Sequence, residues 1–333
     1  MSHQTAAITN LGGRIGVEMR KYTPLMILLG LIALFAIISP NFITSYNLTI
    51  LVRQVSFTAI SAVGLMFVMV SGAIDLSIGS QIVLTNVILS ILMVDYGVSQ
   101  LAAIPLILVL STILGAINGF LSIKLKIHPL IITLGTASIY KGLGYIAAQS
   151  RNIMGFADSF RWFGQGFIGP IPVPIVVMAI VALIGSFILT RTYFGRYVFA
   201  LGGNEEAARL AGVNIDRMKV FLFAMCGFIS AITSVLLLSR VFAGQTSTGQ
   251  GIEFDCLTAA LLGGVSFKGG EGTVFGLITG VLIIGVLNNA MQLASFPDFS
   301  QNVVKGAVLL IAVGFDVYQK NRKAKETVAR VNA

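Results

Sequence analysis

The sequence predicts an all-α protein, a polytopic transmembrane helix bundle of about ten membrane segments with both termini in the cytoplasm. Of its 333 residues, 56% are hydrophobic and 11% are charged, and the mean hydropathy is +0.91. A soluble domain carries about 25% charged residues. Long apolar runs alternate with short polar stretches, and a spanning helix needs about 20 apolar residues. The alternating ten-residue segments of a membrane β-barrel do not occur.

The apolar runs set the order of the segments. The eighth is too short to cross a bilayer alone, so we expect a broken or re-entrant piece surrounded by protein. A transmembrane domain at 23–318 then lies between an N-terminal tail, 1–22, and a basic C-terminal tail, 319–333, both cytoplasmic. The predicted segments are 23–39, 47–71, 77–94, 99–123, 129–149, 172–190, 217–240, 255–267, 272–292 and 300–318.

The basic residues predict the orientation. With the N-terminus inside, sixteen of the 22 Lys and Arg residues fall in cytoplasmic segments, which is the bias that membrane proteins show. One missed or added helix would move every later loop to the other side and remove this asymmetry. The net charge of +9 therefore indicates topology better than nucleic-acid binding. The six other basic residues are Arg53, Lys141, Arg151, Arg161, Arg240 and Lys305.

The inner loop, about 191–216, contains a predicted short helix at 204–212. Asn204 is a good N-cap, and Glu205 and Glu206 favour the positive end of the helix dipole. Gly212 supplies a C-terminal stop. A helix of two turns is unstable alone, so it packs either on its own bundle, as a simple connector, or on a separate protein.

The rest of the sequence contains no motif for a catalytic site and no ATP-binding motif that could drive transport. The nearest text to a phosphate-binding loop, Gly263 to Gly272, lacks the spacing and the Ser or Thr that such a loop needs. His3 and His128 are not expected to bind metal, and no cluster has metal-ligand spacing. We therefore expect no catalytic residue, no metal site and no cofactor bound by this chain.

Polar residues in the apolar segments are candidates for a pathway or gate. Asp75 and Ser77 follow a glycine-rich break, where capping the next helix is an equally simple role. The amides could bind hydroxyl groups or hold helices together. An uncharged, hydroxylated solute suits such a neutral pathway better than an ion. The candidates are Asp75, Ser77, Asn86, Asn118, Gln245 and Asn288.

Four blocks of the sequence together resemble the ribose/xylose/arabinose/galactose permease family of ABC importers. The likeness runs in order over about residues 25–318. The blocks are SGAIDLSIGS at 71–80, NGFLSIKLKIHPLIITLGTASIYKGL at 118–143, ALGGNEEAARLAGVNIDRMK at 200–219 and LTAALLGGVSFKGGEGTVFG at 257–276.

This resemblance implies a permease subunit in a bacterial inner membrane that moves a monosaccharide, such as a ribose-like pentose or a hexose, into the cytoplasm. It implies a second permease copy or a related chain, an extracytoplasmic sugar-binding protein, and a separate ATPase subunit that uses ATP and Mg. The helix at 204–212 would be the coupling helix inserted into that ATPase. Its contact residues would be Asn204, Glu205, Ala207, Ala208, Arg209, Leu210 and Gly212.

An alternative function also remains from the residues alone. Ionisable groups inside a helix bundle are typical of ion-driven transporters, and Asp75 could couple a stand-alone secondary transporter of a small polar solute to an ion gradient. Such a protein would transport without an ATPase.

Overall fold

The structure, a computed structural model, describes residues 23–331, which are almost entirely helical. A π-helical turn, Ile91–Asp95, follows the helix Ile78–Ser90, and a short hairpin pairs β1 (Phe167–Ile168) with β2 (Ile171–Pro172). The helices are α1 (Thr23–Ile38), α2 (Ser45–Val70), α3 (Ile78–Ser90), α4 (Gln100–Leu125), α5 (Pro129–Ala148), α6 (Arg161–Gln165), α7 (Val173–Arg191), α8 (Tyr193–Gly203), α9 (Glu205–Leu210), α10 (Ile215–Val241), α11 (Ile252–Leu262), α12 (Val274–Leu293) and α13 (Asp298–Val331).

Eight helices within 23–331 are long and apolar enough to cross a membrane. They confirm the predicted helical, polytopic architecture, and their ends lie within a few residues of the predicted segments. The 16 residues of α1 span roughly 24 Å and the 11 of α11 roughly 16 Å, at 1.5 Å per residue. The number of ten segments and the cytoplasmic termini stay predictions. The N-terminal tail, 1–22, lies outside the described residues.

Helices α2, α3, α10 and α12 form the centre of the bundle, and α4, α5 and α7 surround it. Small residues allow the central helices to approach one another closely. Where α4 crosses α10, a Cβ atom on Gly227 would lie 2.2 Å from the carbonyl oxygen of Ser111. The Ser111 hydroxyl donates to the Gly227 carbonyl at 2.8 Å. Such contacts are typical of membrane bundles, which associate by close packing and hydrogen bonds.

One crossing of the bundle is not a continuous helix. After α10, the backbone of Gly244 exchanges hydrogen bonds with Ile153, at 3.0 and 2.8 Å, and packs on Ser90 at the end of α3. The chain then runs along α3, so that Gly249 packs against Ile82. Helix α11 completes the passage. We call residues 242–263 the broken crossing; its short helix agrees with the predicted broken piece, and residues 256–261 of α11 are buried.

The structure differs from the predicted segments at the inner loop and the C-terminus. Loop 191–216 contains two helices, α8 and α9, where the sequence predicts one. Helix α8 carries buried Val198 and Leu201 on one face and charged Arg196 on the other, an amphipathic pattern in a loop. Helix α13 continues beyond the predicted end at 318 as far as Val331.

Candidate coupling helix and translocation residues

Both ends of α9 are capped as the sequence predicts. The Asn204 side-chain oxygen accepts a hydrogen bond from the Ala207 amide at 2.9 Å, which satisfies one free donor of the first turn. Gly212 adopts a left-handed backbone, with φ of +85°. The following residue, Val213, donates its amide to the Ala208 carbonyl at 3.1 Å. This six-residue helix therefore begins and ends at residues identifiable from the sequence alone.

The two sides of α9 face different surroundings. Ala208 is 4% exposed and belongs to the hydrophobic core of this chain. Leu210 is 82% exposed, although its side chain is apolar. Of the seven predicted coupling residues, Ala208 thus anchors α9 to its own bundle. The exposed ones are Asn204, Glu205, Ala207, Arg209, Leu210 and Gly212.

Ion pairs fix the direction of α9 relative to α10. The Lys219 ammonium group donates to both carboxylate oxygens of Glu205, at 2.8 and 2.9 Å, and Arg209 lies 3.5 Å from the same carboxylate. Exposed ion pairs contribute little stability, about 0–1 kcal/mol each. Arg209 lies on α9 itself, so the ion pair between Glu205 and Lys219 is the one of these two that joins α9 to α10.

The end of α8 packs against the end of α2 and against the loop between α11 and α12. The Gly270 amide donates to the carbonyl of Val70, the last residue of α2, at 2.8 Å. A Cβ atom on Gly202 would lie 1.9 Å from that carbonyl oxygen and 2.5 Å from the Gly270 nitrogen. We call Val70, Gly202 and Gly270 the glycine seam. It borders a cavity of about 600 Å³ lined by Gly202, Gly203, Ser266, Lys268, Gly269, Gly270 and Glu271.

Three of the predicted pathway residues form one buried network. Asp75 Oδ1 accepts hydrogen bonds from the Ser77 amide at 2.8 Å and the Ser77 hydroxyl at 2.6 Å. The Ser77 hydroxyl accepts from the side-chain amides of Gln81 and Asn118, both at 2.7 Å. The Tyr140 hydroxyl approaches Asn118 Oδ1 at 3.3 Å. The network therefore joins the loop before α3 to α3, α4 and α5.

The carboxyl group of Asp75 is fully buried in the loop between α2 and α3. Within residues 23–331, its Oδ2 accepts no hydrogen bond. Burial raises the pKa of Asp75 to about 6, and the hydrogen bonds from Ser77 act in the opposite direction. The Asp75 side chain holds Ser77, the residue before α3, but the Ser77 hydroxyl makes no cap hydrogen bond to the first turn of α3. The predicted capping is therefore limited to a turn between Asp75 and Ser77.

Asn86 and Gln245 lie at the broken crossing. Asn86 is completely buried on α3, and in the described part of the chain neither its side-chain nitrogen nor its side-chain oxygen has a hydrogen-bond partner. It lies four residues from Ile82 and four from Ser90, which contact Gly249 and Gly244, so the three share one helix face. Gln245 is half-buried in the same stretch. Asn86 therefore faces the non-helical stretch of the broken crossing, which includes turns at 246–251.

Asn288 belongs to a different cluster, on α12. Its side-chain nitrogen donates to Asp255 Oδ2 at 3.3 Å, and Lys305 donates to the same oxygen at 2.9 Å. The ion pair between Asp255 and Lys305 is partly buried and joins α11 to α13. Within the described part of the chain, no group of three His, Cys, Asp or Glu side chains could hold a metal ion.

The six predicted pathway residues thus occupy three places: the Asp75 network, the broken crossing and the Asp255 cluster. Sequence reasoning missed the partners that complete them. Gln81 lies four residues after Ser77 and Tyr140 lies in an apolar helix, and the pairing of Asp255 with Lys305 joins segments that are far apart in the sequence. A polar residue inside an apolar segment was the available signal in each case.

Comparisons with known proteins agree on one family. The family model described as "Branched-chain amino acid transport system / permease component" matches residues 47–313. The ribose import permease protein RbsC of Haemophilus influenzae is 39% identical over 315 residues, 93% of this chain and 96% of the relative. RbsC of Bacillus subtilis is 38% identical over 300 residues, 90% and 93% of the two chains.

An arabinose permease is similar to the same extent. The L-arabinose transport system permease protein AraH of Escherichia coli K12 is 38% identical over 314 residues, 92% of this chain and 93% of the relative. No solved structure matches the chain.

Proposed function

The chain belongs to the family of branched-chain amino acid transport system permease components, and from this premise we propose that it is the membrane subunit of an ATP-driven monosaccharide importer. Its relatives are named for ribose and L-arabinose. Both sugars are pentoses, so we propose a ribose-like pentose as the substrate class; a hexose stays an expectation from the sequence resemblance. The eight membrane-capable helices and the family make it a multi-pass membrane protein, and we place it in a bacterial inner membrane.

The proposal includes partners that supply what this chain lacks. An ATPase subunit would bind ATP and Mg and hydrolyse the nucleotide, and this chain would bind no cofactor of its own. A sugar-binding protein would deliver solute on the outer side. A second permease copy, or a related chain, would complete the pathway.

The exposed helix α9 is the observation that carries the proposal. It presents the apolar side chain of Leu210 to the surroundings, while Ala208 fixes its other side in the core. A single exposed apolar side chain is common on protein surfaces. Leu210 supports the proposal because it stands on a helix that is capped at both ends and held to the core by Ala208. An ATPase subunit that received Leu210 in an apolar pocket would bury it.

The contacts of α9 provide a route for mechanical coupling. A push on α9 would reach α10 through Glu205 and Lys219, and the core through Ala208. It would also reach the end of α2 through Gly202 at the glycine seam. Because α2 and α10 are central helices, a rotation of α9 would change the packing of the bundle between outward-open and inward-open arrangements. In this scheme the chain makes and breaks no covalent bond.

Co-purification tests the proposal. The protein is extracted from its native membrane in mild detergent, and bound proteins are identified for the wild type, Leu210→Glu and Tyr96→Glu. Tyr96 is also exposed and lies just after the π-helical turn that follows α3, away from α9 in the sequence. Its variant is therefore a matched control for an added surface charge. We expect an ATPase subunit with the wild type and with Tyr96→Glu, and at least about tenfold less with Leu210→Glu, since 1.4 kcal/mol corresponds to a factor of ten.

The outcome is interpretable because Leu210 makes no buried contact in this chain. Size-exclusion chromatography and thermal unfolding should give the same result for all three proteins. If Leu210→Glu keeps a full share of the ATPase, α9 is not the coupling helix. If no ATPase accompanies the wild type, and the chain alone moves sugar down an ion gradient, the secondary transporter becomes the better description.

A further inference from the structure

Helix α5 has a polar stripe on an exposed face. Ser138, Lys141 and Tyr145 are all exposed and lie three and four residues apart, so they share one side of the helix. Gln250, in the broken crossing, adds to this stripe, because its side-chain nitrogen donates to the Tyr145 hydroxyl at 3.1 Å. We call Ser138, Lys141, Tyr145 and Gln250 the polar stripe.

Other peripheral helices have a different exposed face. The exposed positions of α4 include Val109, Ile113 and Ile117, and those of α7 include Leu183 and Phe187. Apolar side chains of this kind are what lipid selects for. On α5 itself, exposed residues outside the stripe are apolar as well, such as Ile131, Ile139 and Ile146. The polar stripe is therefore one polar side of an otherwise apolar exposed surface.

Lys141 is the charged member of the stripe. It lies 12 residues into a 20-residue spanning helix. Within the described ranges of the chain, no carboxylate oxygen lies within 4 Å of its ammonium group. Glu253 of α11 is close enough to interact with it electrostatically. The Oε2 atom of Glu253 is buried and has no hydrogen-bond partner among the residues that the structure describes.

Contact between this surface and the hydrocarbon of the bilayer is energetically unfavourable. A lysine at the centre of a spanning helix costs at least about 2.5–3.5 kcal/mol when it faces hydrocarbon. Ionisable groups at this depth face a bundle interior or a water-filled cavity. The stripe therefore requires water or polar matter against it.

We propose that the polar stripe lines the solute pathway and that its side chains bind the hydroxyl groups of an uncharged, polyhydroxylated sugar in passage. This inference rests on the proposed function and adds the residues that contact the solute. Lys141 donates hydrogen bonds, and Ser138, Tyr145 and Gln250 both donate and accept them. A sugar hydroxyl also donates and accepts, so it can replace water at each position. The Lys141 ammonium group and the Glu253 carboxylate oxygens are more than 4 Å apart. Both groups can therefore form hydrogen bonds with a ligand.

Cysteine labelling tests whether the stripe is wet. Cys226 and Cys256 are both buried, and the experiment starts from the variant in which both are Ala. Ser138→Cys and Leu183→Cys are then compared in membrane vesicles with a charged, membrane-impermeant thiol reagent. Both positions are exposed and near the middle of a spanning helix. We expect Ser138→Cys to react at least about tenfold faster, and ribose or L-arabinose to slow its reaction.

Two results would overturn the proposal. If Ser138→Cys is as unreactive as Leu183→Cys, water does not reach the polar stripe. If oxidation instead joins two Ser138→Cys chains in high yield and the reagent never reacts, the stripe is a packed interface between copies.

The proposed function has a separate readout, so the two failures are distinguishable. Co-purification of the ATPase subunit reports on the importer and does not depend on the stripe. Lys141→Met and Tyr145→Phe should retain the ATPase and reduce sugar uptake at least about tenfold. Unchanged uptake in both variants would remove these residues from the pathway, even if the ATPase is present.

Discussion

Gly202 packs against the carbonyl oxygen of Val70 so closely that a methyl group on its Cα would lie 1.9 Å from that oxygen. The neighbouring Gly203, at the end of the same helix, has no atom within 4 Å of the equivalent position. Two adjacent glycines thus differ completely in how much space surrounds them. The pair provides a direct test of the glycine seam.

Gly202→Ala should destabilise the protein, and Gly203→Ala should not. The added methyl group of Gly202→Ala must displace backbone, which costs about 1–3 kcal/mol in a packed interior. Thermal unfolding in detergent measures this as a lower Tm. Gly203→Ala controls for the loss of glycine from α8, and a Tm as low as that of Gly202→Ala would contradict the seam.

Asp75→Asn should remove a pH dependence of stability. Because burial raises the pKa of Asp75 from 3.8 to about 6, the folded protein retains a proton that the unfolded chain releases. Stability should therefore fall as pH rises from about 4 to 6, by about 3 kcal/mol at 1.36 kcal/mol per pKa unit. Asparagine keeps an oxygen acceptor for Ser77 and carries no charge, so its stability should lack this fall.

The measurement is the difference in Tm between the wild type and Asp75→Asn from pH 4 to 7.5. Asp75→Asn should become the more stable of the two as pH rises. A constant difference over this range would show that the carboxyl does not titrate there. Loss of ATPase-independent, ion-driven uptake in Asp75→Asn would instead support the secondary transporter.

Asp255 and Lys305 should show energetic coupling. Each single variant, Asp255→Asn or Lys305→Met, leaves a partly buried charge or polar group without its partner. We expect each to cost about 1–3 kcal/mol, between the values for surface and fully buried pairs. The double variant should cost less than the sum of the two. A double-mutant cycle by thermal unfolding measures this, and strict additivity would mean that the pair contributes nothing.

Asn204→Ala should loosen α9 and weaken ATPase binding. Loss of the cap costs about 1 kcal/mol, and the first amides of the helix should exchange hydrogen faster. Asn204→Asp retains an oxygen acceptor and adds negative charge at the favourable end of the dipole, so it should behave like the wild type. Equal exchange rates at Ala207 and Ala208 in all three proteins would show that the cap does not hold the helix.

Features that depend on nearby residues were accessible from the sequence. The apolar segments, the Asn204 cap and the left-handed Gly212 all follow from local rules, and the structure agrees with each of them. The family could also be recognised, since its blocks occur in order over most of the chain. The short length of α11 was also visible in the sequence, as a segment too short to cross a bilayer alone.

Features that depend on helix rotation and on distant contacts were not accessible. Ala208 and Leu210 are both apolar and two residues apart, and only the position of α9 on the bundle decides which one is exposed. Lys141 was visible as a charge in a span, but its alignment with Tyr145 and Gln250 requires the phase of α5 and the path of the broken crossing. Asp75 and Asn118 are joined through Ser77 because the loop before α3 and helix α4 converge there.

The broken crossing also bears on how the protein enters its membrane. A nascent helix leaves the insertion machinery for lipid when its own apolar length suffices. Helix α11 has 11 residues, with Glu253 and Asp255 in its first turn. The stretch before it forms turns with i to i+3 backbone hydrogen bonds instead of an α-helix. Residues 242–263 therefore cannot partition alone and must settle beside α3 once neighbouring helices have arrived. Membrane insertion and tertiary folding are one event for this part of the chain, so a defect in α3 or α12 should appear during biogenesis as a topology error.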